Sequence, residues 1–300
     1  MEAAGPPRPA PEHPQRLVYL GTPDMAVPPL RALVAAGFDV ALVVTRPDKR
    51  RGRGSATAPS PVKAAALELG LPVTSTVDDA VGVGADLGVV VAFGRIIAAR
   101  VLAELPMVNL HFSLLPRWRG AAPVERALLA GDTTTGVDVM VVEEGLDTGA
   151  IYAEAEVPIG PDTTADELRA ELVEVGCALL VDTLRAGLRD PRPQVGAPRY
   201  AEKLRPEEYE LDWTRPAGEL HRWVRLGGAW TTFRGRRLKV WRSAVPPTGD
   251  GIEVPTGDGV LELVEVQPEG KPRMAARAWA NGARPEPGEL GAAGALAEPS

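Results

Sequence analysis

The stretch Val108–Gly149, VNLHFSLLPRWRGAAPVERALLAGDTTTGVDVMVVEEGLDTG, carries an Asn, a His and an Asp spaced so that they can converge on one reacting atom. Its apolar opening, Met107 to Phe112, reads as a β-strand. Alternate residues of a strand share a face, so Asn109 and His111 point the same way and pair an amide donor with a titratable imidazole. A second apolar run, Val137 to Val142, leads into Glu143-Glu144-Gly145-Leu146-Asp147-Thr148-Gly149. A carboxylate on a glycine-bounded loop after a strand stands where open α/β sheets hold ligands, beyond the carboxyl ends of the strands. Blander accounts stand beside this one. An Asn-x-His at a strand end also serves as a hydrogen-bonded structural pair, and Asp-Thr-Gly is built from turn residues. An aspartic protease needs two such carboxylates, and no second Asp-Thr-Gly or Asp-Ser-Gly occurs.

Upstream, strand and helix signals alternate. Leu17 to Leu20, Asp39 to Thr45 and Asp86 to Phe93 are strands; Pro28 to Ala36 and Pro61 to Leu69 are helices with Pro in the first turn and Gly at the end. Downstream, Ile151 to Pro158 is a strand and Thr164 to Leu184 a long helix. This alternation implies βαβ units and a mostly parallel sheet. No Gly-x-Gly-x-x-Gly follows the first strand and no Walker-type loop is present, so neither a dinucleotide nor a nucleoside triphosphate has motif support. The loop after the second strand, from Arg46 to Ser55, holds five basic residues in its first eight: Arg46, Lys49, Arg50, Arg51 and Arg53. It is either a solvated charge run or a phosphate-gripping loop that orders on RNA.

The 300 residues suffice for one large domain or two of ordinary size. A net charge of −7 argues against a uniformly basic nucleic-acid coat but leaves room for a local basic patch. The one cysteine, Cys177, excludes an intrachain disulfide and a cysteine-rich metal site. Three scattered histidines make a zinc triad a poor fit, so no metal is expected. Charges interrupt every long apolar run, so no membrane span is expected. Residues 1–15 are Pro-rich, lack the features of secretion or transit signals, and read as a disordered head; 283–300 read as a disordered tail. A cytoplasmic protein follows.

Composition shifts at Arg189–Arg199, a Pro-rich linker that sets a domain boundary near 205. The region 206–282 has a helix signal at Ala217 to Val224, then short strand-like pieces at Thr231 to Phe233, Arg237 to Trp241 and Gly259 to Val266, which suggest a small β-barrel. Between Arg215 and Arg242 stand eight Lys/Arg and one acid, Glu219, with Trp223, Trp230, Phe233 and Trp241 interleaved. Basic residues among aromatics suit RNA contacts, although barrel core is the commoner place for such aromatics.

Asn109-x-His111, Ser113-Leu114-Leu115-Pro116, Arg117 to Pro123, Gly136-Val137 and Leu146 to Gly149 occur in an order that resembles the folate-dependent formyltransferase superfamily, and within it most closely the methionyl-tRNA formyltransferases. The resemblance spans about Arg16 to Gly282 and implies an α/β fold: a Rossmann-like mostly parallel catalytic sheet over 16–205, with a C-terminal OB-like small β-barrel over 206–282 that helps hold tRNA. It implies transfer of a formyl group from 10-formyltetrahydrofolate to the amino group of initiator methionyl-tRNA, by a monomer that binds neither DNA nor membrane. Asn109 and a protonated His111 would face the developing oxyanion, with Asp147 supporting the imidazolium. Ser113, Leu114, Leu115, Pro116, Phe93, Gly94, Ile96 and Glu144 would hold the folate. Arg46, Lys49, Arg50, Arg51 and Arg53 would contact the tRNA acceptor end. Two departures stand out: Phe112 occupies a position where most members carry Gly or Ala, and Arg225–Thr231 is shorter than the usual version.

Three other readings share parts of this pattern. A formyltransferase for a small-molecule amine, such as a sugar nucleotide or purine precursor, would be indifferent to tRNA. A catalytically silent RNA-binding protein would not need His111. A folate hydrolase would release formate without an acceptor.

Overall fold

The structure, a computed structural model, describes residues 8–50, 57–286 and 288–291. Its strands are β1 (Arg16–Gly21), β2 (Asp39–Val44), the two-residue β3 (Val73–Thr74), β4 (Leu87–Val91), β5 (Met107–His111), β6 (Thr134–Val141) and β7 (Ile151–Pro158). They form one sheet in the order β7-β6-β5-β4-β1-β2-β3. From β3 to β5 all neighbours run parallel, and β6 runs antiparallel to both β5 and β7. The helices are α1 (Val27–Ala35), α2 (Pro61–Glu68), α3 (Ala99–Glu104), α4 (Pro123–Ala130) and α5 (Ala165–Ala186). Ser60 caps α2 by accepting from the Lys63 N–H at 3.0 Å, and Pro61 fills a first-turn position that needs no donor. Of these, α3 is the shortest, six residues long.

Alternation along β5 sorts its side chains. Val108 and Leu110 are fully buried, and Leu110 faces α5, where a Cβ added to Gly176 would lie 3.2 Å from it. Met107 packs on the other face with Val101 and Leu102 of α3 and with Val18, Leu20 and Val90. Asn109 and His111 continue that second face toward the strand's carboxyl end. Phe112 is buried, so the large ring at this position fills the protein interior.

The described residues divide into two compact units. The second takes in Val124–Thr133, Ile159–Leu168 and the chain from Lys203 onward; the first takes the rest. Two segments that precede the expected boundary near 205 therefore pack with the C-terminal unit. That unit contains α6 (Ala217–Arg225), β8 (Trp230–Phe233), β9 (Arg236–Ala244), β10 (Ile252–Pro255), β11 (Val260–Pro268) and α7 (Ala276–Ala283). Its strands pair antiparallel in the order β8-β9-β11-β10, with 274–275 added to β11, as a curled half-barrel. Leu220 and Val224 of α6, Leu238, Val240, Leu261 and Leu263 of the sheet, and Trp279 of α7 form its core. The shortened 225–231 segment is a turn through Gly227 (φ +75) and Gly228 (φ +145), conformations that glycine adopts without steric cost.

Part of each expected disordered end is among the described residues. In the first unit the Arg8 N–H donates to the Leu102 carbonyl at 3.3 Å, and the Leu188 N–H donates to the Glu12 carbonyl at 2.8 Å. The Asp86 carboxylate accepts from the backbone N–H groups of Gln15 and Arg16. In the second, the Gly291 N–H donates to the Thr232 carbonyl at 3.0 Å. No described helix is long and apolar enough to cross a membrane.

Candidate active site

Strand β5 ends beside β4, with Asn109 opposite Val90 and Leu110 opposite Val91. The loop after β4, Ala92 to Ile97, therefore stands next to the loop after β5. This is the carboxyl edge of the sheet, where the chain has already wound outward through β2 and β3 and returned, and where ligands of such sheets bind.

Asn109 is half-buried, and its side-chain amide makes no hydrogen bond among the described residues. Two residues on, His111 is 5 % exposed. Its Nε2 lies 3.0 Å from the Trp118 carbonyl oxygen, which can only accept, so Nε2 carries the proton. Its Nδ1 faces Asp147 Oδ2 at 3.8 Å. Burial draws the imidazole below its ordinary value; the Asp147 carboxylate and the Trp118 carbonyl oppose that without cancelling it. With Nε2 donating to the Trp118 carbonyl, Nδ1 is the ring nitrogen turned toward the Asp147 carboxylate.

Asp147 is held by backbone. Its Oδ2 accepts from the Gly120 N–H at 2.8 Å, and its φ of +51 is a left-handed conformation uncommon outside glycine. Gly149 follows, and a Cβ there would sit 2.0 Å from the Val141 carbonyl oxygen, so the loop returns to the strand end at a distance only glycine allows. Gln194, from the Pro-rich linker, donates through Nε2 to the carbonyls of Asp147 (2.8 Å) and Gly149 (2.9 Å).

The residues expected around the folate separate by how they face. Ser113 is fully buried; its hydroxyl donates to the Arg117 carbonyl at 2.7 Å, with the Trp118 carbonyl at 3.4 Å, and closes the Ser113–Pro116 turn. The Leu115 side chain packs with Met140 and Ile151, and the Leu115 N–H donates to Asp138 Oδ2 at 2.8 Å. The Leu114 side chain lies against Gly136. Phe93 is buried in the core, while its carbonyl lies 3.4 Å from the Thr22 hydroxyl. Ile96, by contrast, is 90 % exposed, and Glu144 is exposed on the Asp147 loop. Pro116 is partly buried. Gly94 (φ +68) accepts through its carbonyl from the Arg46 guanidinium. A concavity of about 230 Å³ lies beyond Ile96, lined by Ser75, Asp78, Arg95 and Arg100 among others; Asn109, His111 and Asp147 do not line it.

The basic loop is described in part. Arg46 reaches the Gly94 carbonyl in the loop after β4, and Lys49–Arg50 pair as a short antiparallel ribbon with Thr57–Ala58. Arg51 and Arg53 lie outside the described residues. Among the described residues, no cluster of three or more His, Cys, Asp or Glu side chains is placed to hold a metal ion.

Two residues near the site escaped sequence reading. Gln194 sits in a linker with no local signal, because its partners are 45 and 47 positions away. Asp138 did leave a signal, a lone carboxylate inside the apolar run Val137 to Val142. It is fully buried opposite His111 in the β5–β6 register, and its Oδ1 has no hydrogen-bond partner.

Residues 15–184 match the Formyl transferase family and residues 203–284 match the family of its C-terminal domain. A methionyl-tRNA formyltransferase of Symbiobacterium thermophilum is 44% identical over 300 residues, covering 89% of this chain and 92% of that one. One of Heliobacterium modesticaldum is 44% identical over 311 residues, covering 91% and 98%. An N-formyltransferase from Helicobacter canadensis, solved with folinic acid and dTDP-3-aminofucose, matches in fold with a TM-score of 0.64 at 17% identity, over 83% of this chain and 98% of that one. With both domains matched and relatives this similar over nearly their full length, the chain belongs to the methionyl-tRNA formyltransferase family.

Proposed function

We propose that the chain transfers the formyl group of 10-formyltetrahydrofolate to the α-amino group of initiator methionyl-tRNA, and that Asn109, His111 and Asp147 perform the chemistry. The observation that carries the catalytic assignment is the unengaged Asn109 amide two residues from a buried imidazole set against Asp147. Near-full-length identity to named methionyl-tRNA formyltransferases supports the acceptor over a sugar nucleotide or purine precursor.

The amine nitrogen attacks the formyl carbon, and the carbonyl electrons move onto oxygen. The Asn109 amide donates to that oxyanion. Neutral His111 accepts the amine proton at Nδ1. The imidazolium so formed is stabilised by Asp147 and adds its charge to the oxyanion's surroundings. Collapse reforms the carbonyl and breaks the bond to N10 of the folate, which takes up a proton and leaves as tetrahydrofolate. No nucleophile on the protein is needed: Ser113 donates to backbone within its turn, and burial pushes the Cys177 thiol up to about 11.

The test is formyl transfer to charged initiator tRNA, with elongator methionyl-tRNA and free methionine alongside. Transfer to the initiator alone is expected, and Asn109→Ala should lower the rate by about 10²–10³, the cost of one lost oxyanion donor. Release of formate with no acceptor formylated would replace this reading with a hydrolase.

A further inference from the structure

The segment read from sequence as a linker is a strap across the edge of the active-site loops. Ile151 and Arg192 exchange two backbone hydrogen bonds of 2.8 Å. Further along, the Arg199 N–H donates to the Pro116 carbonyl at 3.1 Å, and the Arg119 N–H donates to the Arg199 carbonyl at 2.8 Å. Tyr200–Ala201 then pair in parallel with Arg119–Gly120, and the Ala201 carbonyl accepts from the N–H groups of Ala121 and Ala122. Between these two anchorages lies Gln194.

Its half-buried side chain uses both ends. Nε2 donates to the carbonyls of Asp147 and Gly149 at 2.8 and 2.9 Å, while Oε1 accepts from Arg119 Nε at 3.1 Å and Nη2 at 2.5 Å. The orientation of the amide is fixed by chemistry, since two carbonyls can only accept and a guanidinium can only donate. The Asp147 carboxylate is held by the N–H of Gly120, the residue next to Arg119. One amide thus ties together the backbone that carries the carboxylate and the backbone that anchors it. Asp147 also stands at φ +51, a conformation that persists only where its surroundings impose it.

We propose that Gln194 is a positioning residue for the formyl transfer: it holds Asp147 against His111 by clamping the Asp147–Gly149 carbonyls to the Arg119–Gly120 loop. The inference rests on the reading of His111 and Asp147 as the proton-handling pair. The carbonyls need donors, so a side chain of the same shape without donors cannot replace it. Gln194→Glu keeps the acceptor for Arg119 and sets a carboxylate oxygen against two carbonyls. Gln194→Met keeps the length and removes all four hydrogen bonds.

The experiment measures kcat, both KM values, the pH dependence of kcat/KM and thermal unfolding for the full chain and the two variants, with His111→Ala and Asp147→Ala as references. A displaced carboxylate should cost about 10–100-fold in kcat in both variants, the scale of an ångström's misplacement, with KM values near the parent's. In Gln194→Met the acid limb of the profile should move to lower pH, because the imidazolium loses the carboxylate beside it. A wild-type kcat in Gln194→Glu would overturn the proposal, since its donors would then be dispensable. So would a Gln194→Met variant that melts earlier but keeps the parent's kcat and acid limb, which is the behaviour of a merely structural strap. Full activity in His111→Ala or Asp147→Ala would instead overturn the reading of the pair, which the Gln194 variants by themselves leave untouched.

Discussion

At the scale of single residues, two buried titratable groups face each other across adjacent strands and are driven in opposite directions by the same cause. Burial lowers His111, which disfavours its cation, and raises Asp138 to about 7, which disfavours its anion. At Asp138 the Leu115 N–H and Arg192 oppose the rise and Glu154 adds to it. The folded state therefore holds the Asp138 proton more tightly than the unfolded chain does. The stability this carboxyl supplies is complete below its ordinary value of 3.8 and is lost as pH rises to about 7. At about 1.4 kcal/mol per pH unit the loss has a ceiling of about 4 kcal/mol. Asp138→Asn, which keeps an acceptor for the Leu115 N–H but cannot ionise, should flatten that slope. Denaturant unfolding of both proteins between pH 4 and 8 measures it, and equal slopes would show that Asp138 ionises freely. Because Asp138 accepts from the Leu115 N–H within the Ser113–Pro116 turn, the same titration bears on the geometry of that turn.

At the scale of elements, the loop between β6 and β7 is shaped by close approach. Gly149→Ala would place a methyl 2.0 Å from a carbonyl oxygen of β6. Backbone must move to relieve it, so a loss of about 1–3 kcal/mol in stability is expected together with reduced kcat, because Asp147 lies two residues away. Thermal melts and initial rates measure both; unchanged values would mean that the loop end is free to shift. The same scale shows what was legible in advance. β1, β2, β4, β5 and the apolar half of β6 announce themselves as buried runs, and Asn109 and His111 follow from the alternation of β5 alone. The two-residue β3 and the 119–120/200–201 pairing leave no pattern, since their identity lies in partners far along the chain. The helix α4 is only eight residues long and lies among the motif residues, where motif and helix read alike. Gln194 was illegible for the same reason as β3: nothing within a window around it distinguishes a clamp from a linker. The burial that lowers His111 was out of reach as well, because depth of burial does not show in the sequence.

At the scale of the molecule, a chain of net charge −7 has to attract a polyanionic substrate, and the C-terminal unit shows how charge is placed to do so. Along β9, Leu238 and Val240 enter the core, and Arg237, Lys239 and Trp241 take the opposite face. Of the interleaved aromatics, Trp223 of α6 and Phe233 pack against the core, whereas Trp230, itself buried and paired across the strands with Lys239, and Trp241 lie under cations of the opposite face. Arg237 sits 4.0 Å from the Trp230 ring centre; Arg273 and Lys239 sit 3.3 and 5.5 Å from that of Trp241. Guanidinium groups stacked on indoles keep their charge while losing little freedom, which suits them to phosphate. Arg237→Gln combined with Arg273→Gln should raise KM for methionyl-tRNA with kcat retained, because these groups act on binding and not on the reacting atoms. Removing each arginine–phosphate pairing should also flatten the dependence of log affinity on log salt by about 0.7–0.9. Titrating KM for the tRNA from low to moderate salt in the parent and the double variant reads both effects. Parallel salt lines would assign this face to solvent, and attraction of the substrate would then fall to the basic loop that begins at Arg46.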